Sequence, residues 1–448
     1  MGHRVLMVCD YFWPSLGGVE MHIWSLAQCL LRQGHRVVVL THAYGGERHG
    51  VRYMTNGLKV YYAPWVPLFQ NCTLPTFFPL LPLLREVVLR ERIEIVHGHQ
   101  DSSSMMHEAL FHAQTLGLRT CFTSHSLFNL YDNGSVHLNK VLRLTLCSVD
   151  HCVAVSYTCK ENICVRCDLD PDSVSVIPNA VDASYFTPEP SLRAEAPRIN
   201  IVSISRLAYR KGTDLVAQVI PIVCAKFPHV NFIIGGDGDK RLMLDEMRER
   251  HQLHDRVELL GSVPHTEVRS VLCRGSIFLN CSLTEAFCIS ILEAACCGLY
   301  VVSTRVGGIP EVLPPDMIGF AEEVSAGAVA AALERAIVAG KGQHEDPFDL
   351  HERVRDMYSW QQVAEEVTSV YDQVVARPRQ TFTARLDKCW AVGPIAGIMG
   401  MFLVTVDLMV LWLLRLIRPD EEVDRAPEIA LPLSKRSGGV GDSKQGTS

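Results

Sequence analysis

The chain has no excess of positive charge. Its 42 lysines and arginines fall short of its 49 acids, leaving a net charge of −7. That excludes a general nucleic-acid binder, whose footprint is a basic surface. Charge of either sign is sparse at 20%, against 48% hydrophobic residues, so a folded globular protein is expected rather than a disordered polyelectrolyte. The paired spacing of a zinc module is missing. The sixteen cysteines include only a lone Cys164-Val-Arg-Cys167 and the adjacent Cys296-Cys297, and they are read as reduced thiols on a cytosolic face. No leader is read at the start, because HRVLMVCDYF begins at once as a buried strand. Long hydrophobic runs are absent except for residues 391–414.

What is present is an alternation of strands and helices, and 448 residues suggest two or three domains. HRVLMVCDYF, a turn at Gly17-Gly18-Val-Glu20, the helical pattern MHIWSLAQCLLRQ and the strand HRVVVLTH form one unit of a parallel sheet. The glycine pair does not match G-x-G-x-x-G and is a weak phosphate signal. Thr76–Arg92 reads either as a core-packed helix or as a membrane-facing surface. His97 and His99 share one face of a strand end. With no third ligand nearby, they read as a polar cleft edge rather than zinc. His125 follows the strand Thr120–Ser124, at the carboxyl end where parallel sheets hold ligands. Pro178-Asn179 and FTPEPSLRAEAPR form a linker, and from Arg198 the alternation restarts as a second Rossmann-like domain.

In that second half, Arg206 and Lys211 flank the turn SRLAYRKG, where two cations can pair with a leaving diphosphate. Asp237-Gly-Asp239 has the form of a metal-binding D-x-D but reads as a glycine turn, and no metal site is expected. In SLTEAFCISILEAACCGLYVVSTRVGGIPEVL, Glu285 and Glu293 are seven residues apart. A helix opening between them puts Glu285 at its mouth and Glu293 two turns in. Its free N–H groups and dipole suit a phosphorylated ligand. Gly307 and Gly308 permit close backbone approach.

The E-x7-E spacing followed by VVSTRVGGIPEVL resembles the retaining glycosyltransferases of the large family that includes sucrose and mannosyl transferases. THAYG (41–45), ALFHA (109–113), HSLF (125–128), SVIPNAVD (175–182), NFIIGG (231–236), QLHDRV (252–257) and LTEAFC (283–288) fall in order with it. Together with a C-terminal span they are similar to the catalytic subunits of phosphatidylinositol N-acetylglucosaminyltransferases. The resemblance implies a GT-B fold of two facing Rossmann-like domains, 1–185 on the acceptor side and 198–376 on the nucleotide-sugar side, with a transmembrane helix at 391–414 and a disordered tail at 419–448. It implies transfer of N-acetylglucosamine from UDP-N-acetylglucosamine to phosphatidylinositol with retention, at the endoplasmic reticulum membrane. The catalytic domains are expected on the cytosolic side, with no cofactor beyond the donor substrate.

By the same resemblance His125, Glu285, Arg206 and Lys211 are catalytic. Gly17, Gly18, Glu293, Phe287, Cys288 and Ile289 bind substrate. Ser124 stands where that family often has an acid before the histidine. Two competing readings are an enzyme of the same class with another acceptor or hexose donor, and a non-catalytic membrane scaffold. The span itself carries Gly393, Gly397 and Gly400 as a small-residue strip and one charge, Asp407. Both are read as contacts to other membrane subunits. Arg385 and Lys388 before it and Arg415 and Arg418 after it leave orientation unset by charge.

Overall fold

The computed structural model describes residues 2–427 except 16, 46–47, 69–70 and 129–132. The described residues form two separate sheets. The first contains β1 (Arg4–Val8), β2 (Arg36–His42), β3 (Gly50–Tyr53), β4 (Lys59–Ala63), β5 (Ile95–His99), β6 (Arg119–Ser124), β7 (His151–Ala154) and β8 (Val174–Val176), in the order β3-β4-β2-β1-β5-β6-β7-β8. Every pairing is parallel except the β3–β4 edge. The inner strands read as continuous apolar runs, such as VLMV in β1, because helices cover both faces. The second sheet contains β9 (Ile199–Ile204), β10 (Val230–Gly235), β11 (Val257–Gly261), β12 (Ile277–Asn280), β13 (Tyr300–Ser303) and β14 (Ile318–Phe320), all parallel, in the order β11-β10-β9-β12-β13-β14.

The first sheet carries α1 (Gly18–Arg32), α2 (Leu80–Glu91), α3 (Ser104–Thr115), α4 (Asn133–Leu146) and α5 (Tyr157–Cys167). The second carries α6 (Thr213–Lys226), α7 (Arg241–Arg250), α8 (His265–Leu272), α9 (Ile289–Cys296), α10 (Ala326–Val338) and α11 (Pro347–Met357). The chain then returns. In α12 (Trp360–Ala376), Val363, Val367 and Tyr371 pack among β1, β2 and α1 residues such as Val5, Val39 and Leu26. After it come α13 (Phe382–Ala391) and α14 (Pro394–Ile417).

Of the two readings of Thr76–Arg92, the core one holds for α2, whose Leu80, Leu81, Leu84, Val87 and Val88 are buried. The apolar run at 391–414 becomes a helix three residues later, opening on Pro394. The tail is not loose from Pro419: Val423 is buried, and the Ala426 N–H donates to the Arg90 carbonyl at 2.8 Å. Residues 428–448 lie outside the described chain. All sixteen cysteines are unpaired.

Each sheet has one point where strand order reverses, between β1 and β5 in the first and between β9 and β12 in the second. Loops diverge there and leave a crevice at the carboxyl ends of the strands, where open α/β sheets bind ligands. The predicted site residues flank these two points: Gly17 and Gly18 after β1, Arg206 and Lys211 after β9, Glu285 after β12.

Candidate active site

Lys211 is placed by backbone. Its turn, Tyr209–Lys211, ends at Gly212 with φ +69°, where a Cβ would stand 1.8 Å from the Cys281 carbonyl oxygen. Only glycine lets the turn press onto the end of β12. The Leu283 N–H then donates to the Arg210 carbonyl at 2.9 Å. With the two segments clamped, the Lys211 ammonium pairs with the Glu285 carboxylate, which also accepts from Ser282 Oγ at 2.9 Å. Burial alone would lower the Lys211 pKa, but the Glu285 carboxylate outweighs it and the ammonium is held above its ordinary value.

The expected helix mouth sits further along. Helix α9 opens at Ile289, so Glu285 lies in the loop before it and only Glu293 is helical. Glu285 therefore serves the lysine, and Glu293 faces His265, whose Nε2 is 3.6 Å from Oε1. Phe287 and Cys288 have buried side chains, and the Phe287 ring packs edge-on against Tyr358. What they can offer a ligand is backbone. Ile289 reaches across the cleft, where its Cδ1 would be 3.6 Å from a Cβ on Gly18. The two domains thus meet across the cleft between Gly18 and the α9 N-terminus. Arg206 is exposed on the cleft wall. The buried Glu20 carboxyl has its pKa raised by burial, an effect that Arg206 opposes.

Gly307 and Gly308 do allow close approach, but to protein. Cβ atoms there would lie 2.2 Å from the Glu285 carbonyl oxygen and 2.1 Å from that of Ala286. The same segment bridges the domains through Glu311, whose carboxylate accepts from the Tyr157 and Thr158 N–H groups, at 2.6 and 2.9 Å, at the start of α5. An anion at a helix N-terminus is favourable. Asp237 and Asp239 are exposed in a turn stacked on Leu207.

On the facing domain, His125 belongs to a cluster that sequence spacing could not reveal. Side-chain nitrogens of His22, His99 and His125 lie within 4.8 Å of one another, a grouping able to hold a metal ion. The two partners His99 lacks in its own strand are His22 from α1 and His125 from just after β6. His97 is instead structural, bonded at 2.7 Å to both Tyr371 Oη and Thr123 Oγ1. His22 gives its Nδ1 proton to Asn179 Oδ1 at 2.7 Å. Burial and the neighbouring rings of His22 and His97 push the His125 pKa well down, so its imidazole is neutral near pH 7. The acid missing before His125 arrives through space. Asp101 Oδ2 accepts from Ser124 Oγ at 2.8 Å and from the His125 N–H at 3.3 Å, and Arg166 balances the buried carboxylate at 3.2 Å. Sequence reasoning missed Glu20, His22 and Asp101, and put His99 no further than a polar cleft edge. Of those three, only Glu20 had a local signal, its place in the glycine turn.

Residues 42–132 match the family described as PIGA (GPI anchor biosynthesis), and residues 189–347 match Glycosyl transferases group 1. The chain is 51% identical over 428 residues to a phosphatidylinositol N-acetylglucosaminyltransferase subunit of Arabidopsis thaliana, covering 96% of this chain and 95% of the relative. It is 49% identical over 446 residues to the subunit of the same name in Homo sapiens, covering 99% and 91%. Among solved structures, sucrose-phosphate synthase from Thermosynechococcus elongatus superposes with a TM-score of 0.71 at 18% identity, over 84% of this chain and 99% of that one. Starch synthase IV from Arabidopsis thaliana gives 0.65 at 16%, over 84% and 100%. These establish the GT-B fold, and the near full-length identity establishes that the chain belongs to the family of PIGA-type subunits of phosphatidylinositol N-acetylglucosaminyltransferase.

Proposed function

We propose that the chain is the catalytic subunit that transfers N-acetylglucosamine from UDP-N-acetylglucosamine to phosphatidylinositol, with retention, as the first step of GPI-anchor synthesis. The observation that carries this is the Lys211–Glu285 pair beside α9, facing Gly18 across the cleft. The donor diphosphate lies against Lys211 and Arg206, whose charge is worth most as the sugar departs. Glu293 accepts from the ribose hydroxyls. Gly17, Gly18 and the backbone of Phe287, Cys288 and Ile289 border the donor. The neutral His125 imidazole, with one donor and one acceptor nitrogen, holds the sugar together with Glu285. Retention with no residue placed as a covalent nucleophile fits a same-face substitution. The fixed cations supply the charge a divalent metal would otherwise bring.

The acidic and basic residues of the cleft are all present, and Lys211 is paired with Glu285, which speaks against a scaffold. The relatives are named as subunits, which supports a complex of several chains; its placement at the endoplasmic reticulum membrane, with both domains on the cytosolic side and α14 as the membrane element, belongs to the same proposal. Incubating membranes containing the protein with labelled UDP-N-acetylglucosamine, then analysing the lipids, tests the reading. Label in an N-acetylglucosaminyl phosphatidylinositol is expected. Label in another lipid transfers the case to a different acceptor.

A further inference from the structure

Four imidazoles crowd the carboxyl edge of the first sheet: His22 from α1, His97 and His99 from β5, and His125 just after β6. One of the four is fully engaged. His97 has both ring nitrogens bonded, to Tyr371 and Thr123, and its ring stacks on that of His99 with centroids 4.2 Å apart. The other three keep open nitrogens. His22 is 2% exposed and His99 0%. Their Nε2 atoms are both buried with no hydrogen-bond partner among the described residues. Buried polar atoms are nearly always paired, and an orphaned one is costly. Two such atoms in one cluster call for a ligand.

The geometry is that of metal ligands. Asn179 Oδ1 accepts the His22 Nδ1 proton at 2.7 Å, which leaves the lone pair on Nε2. A ligating histidine is oriented in this way, by an oxygen on its other nitrogen. His99 Nδ1 and His125 Nε2 stand 3.4 Å apart. At that length their hydrogen bond is weak, so neither ring gives up much by turning to an ion. One nitrogen from each of His22, His99 and His125 lies within 4.8 Å of the other two. Zinc–nitrogen bonds of about 2.0–2.1 Å in a tetrahedron need nitrogens about 3.4 Å apart. Small rotations of the three rings close the difference.

The donor set also says which ions fit. The group holds three imidazoles and neither a carboxylate nor a thiolate. Imidazole suits zinc, copper and nickel, whereas magnesium, calcium and manganese prefer oxygen. Burial disfavours the charged rings, so all three are neutral near pH 7, as ligands must be. Three protein ligands leave a fourth position open. It faces the cleft at His125, the least buried of the three.

We propose that His22, His99 and His125 form an inhibitory site for a zinc-class transition-metal ion, which on binding takes the His125 nitrogen that the donor sugar needs. Metal and donor then exclude one another. The inhibitory half rests on the reading of His125 as a sugar contact; the site itself rests on the cluster alone. The ion is a competitor of the donor and takes no part in the transfer.

The test uses the full complex, purified without a polyhistidine tag, stripped of metal with chelator, and titrated with cobalt(II) or with buffered zinc. Cobalt(II) reports binding without turnover. Intense visible bands of a four-coordinate ion are expected, displaced by zinc and lost in His22→Asn. Where His22→Asn unfolds the domain, Asn179→Ala keeps all three ligands and removes only the oxygen that orients His22. It should weaken cobalt binding about tenfold to a hundredfold. Weak six-coordinate bands, or equal binding in the wild type and the variants, would overturn the site. In the transfer assay zinc should raise the apparent KM for UDP-N-acetylglucosamine, chelator should reverse the effect, and magnesium should have none. The half-inhibiting zinc concentration should rise about tenfold or more in Asn179→Ala, with each protein referred to its own metal-free rate. Cobalt held at the cluster with transfer unaffected would overturn the competition and take His125 off the sugar. Normal transfer without four-coordinate cobalt would overturn the site and leave the proposed reaction standing.

Discussion

Replacing Lys211 by methionine separates structure from chemistry at the cleft. The Lys211 side chain is 36% exposed and its Glu285 partner 14%. A pair that wet contributes at most about 1 kcal/mol to folding, after screening and side-chain entropy. If the lysine were only a structural tie, Lys211→Met would lower the denaturation midpoint slightly and leave turnover nearly intact. If it stabilises the departing diphosphate, the loss appears in the transition state. One preorganised charge contact there is worth about 3 kcal/mol, or roughly a hundredfold in kcat. The assay is initial-rate transfer from UDP-N-acetylglucosamine to phosphatidylinositol, with kcat and KM resolved, beside a denaturation curve of the same preparation. The expected result is a kcat down about a hundredfold with KM little changed. Combining Lys211→Met with Glu285→Gln should cost less than the product of the single losses, because the two residues act as one unit. Normal kcat with raised KM would make Lys211 a ground-state contact, and normal values of both would remove it from the mechanism.

Arg206→Ala should likewise lower kcat more than donor affinity, read in the same assay; an unchanged kcat would take Arg206 off the diphosphate. Activity should persist in excess chelator; loss restored by manganese, magnesium or zinc would show that the Asp237–Asp239 turn or the His22, His99, His125 cluster holds a catalytic ion. Asp101→Asn should lower turnover and change its pH profile through His125 while the fold survives, and an unaltered profile would limit Asp101 to balancing Arg166. Stability should fall with acid. Burial draws His22 and His107 from 6.5 down to about 4, so the unfolded chain takes up protons first. The stabilisation is intact above pH 6.5 and drains away as pH falls toward 4, by about 2 kcal/mol per histidine near pH 5. A urea midpoint as high at pH 5 as at pH 7 would contradict it.

Legibility in the sequence followed locality. The strand β1, the turn at Lys211 and the glycines at 307 and 308 were readable because their apolar runs or turn chemistry are complete within ten residues. Glu285 was placed on the wrong side of a helix start, since nothing in LTEAFCIS marks Cys288, with φ +74°, as the break before α9. The histidine cluster and Asp101 were out of reach for another reason. Their partners come together only when α1, β5 and β6 align at the sheet edge, and no spacing rule spans residues 22 to 125. The docking of α14 was hidden because glycine, valine and leucine on an inner face pass a hydropathy test as readily as lipid-facing ones. The close approach of Gly400 to Leu144 of α4 and the pairing of Asp407 with His112 and Thr115 of α3 reveal the docked face.

The central claim is tested most directly on the product itself. The complex containing this chain, given isotopically labelled UDP-N-acetylglucosamine and a short-chain phosphatidylinositol, should yield one lipid heavier by a single N-acetylhexosamine, attached to inositol, with the α configuration of the donor retained at the anomeric carbon, and Lys211→Met should abolish most of it. A β-linked product, or label transferred to a lipid without inositol, would contradict the account.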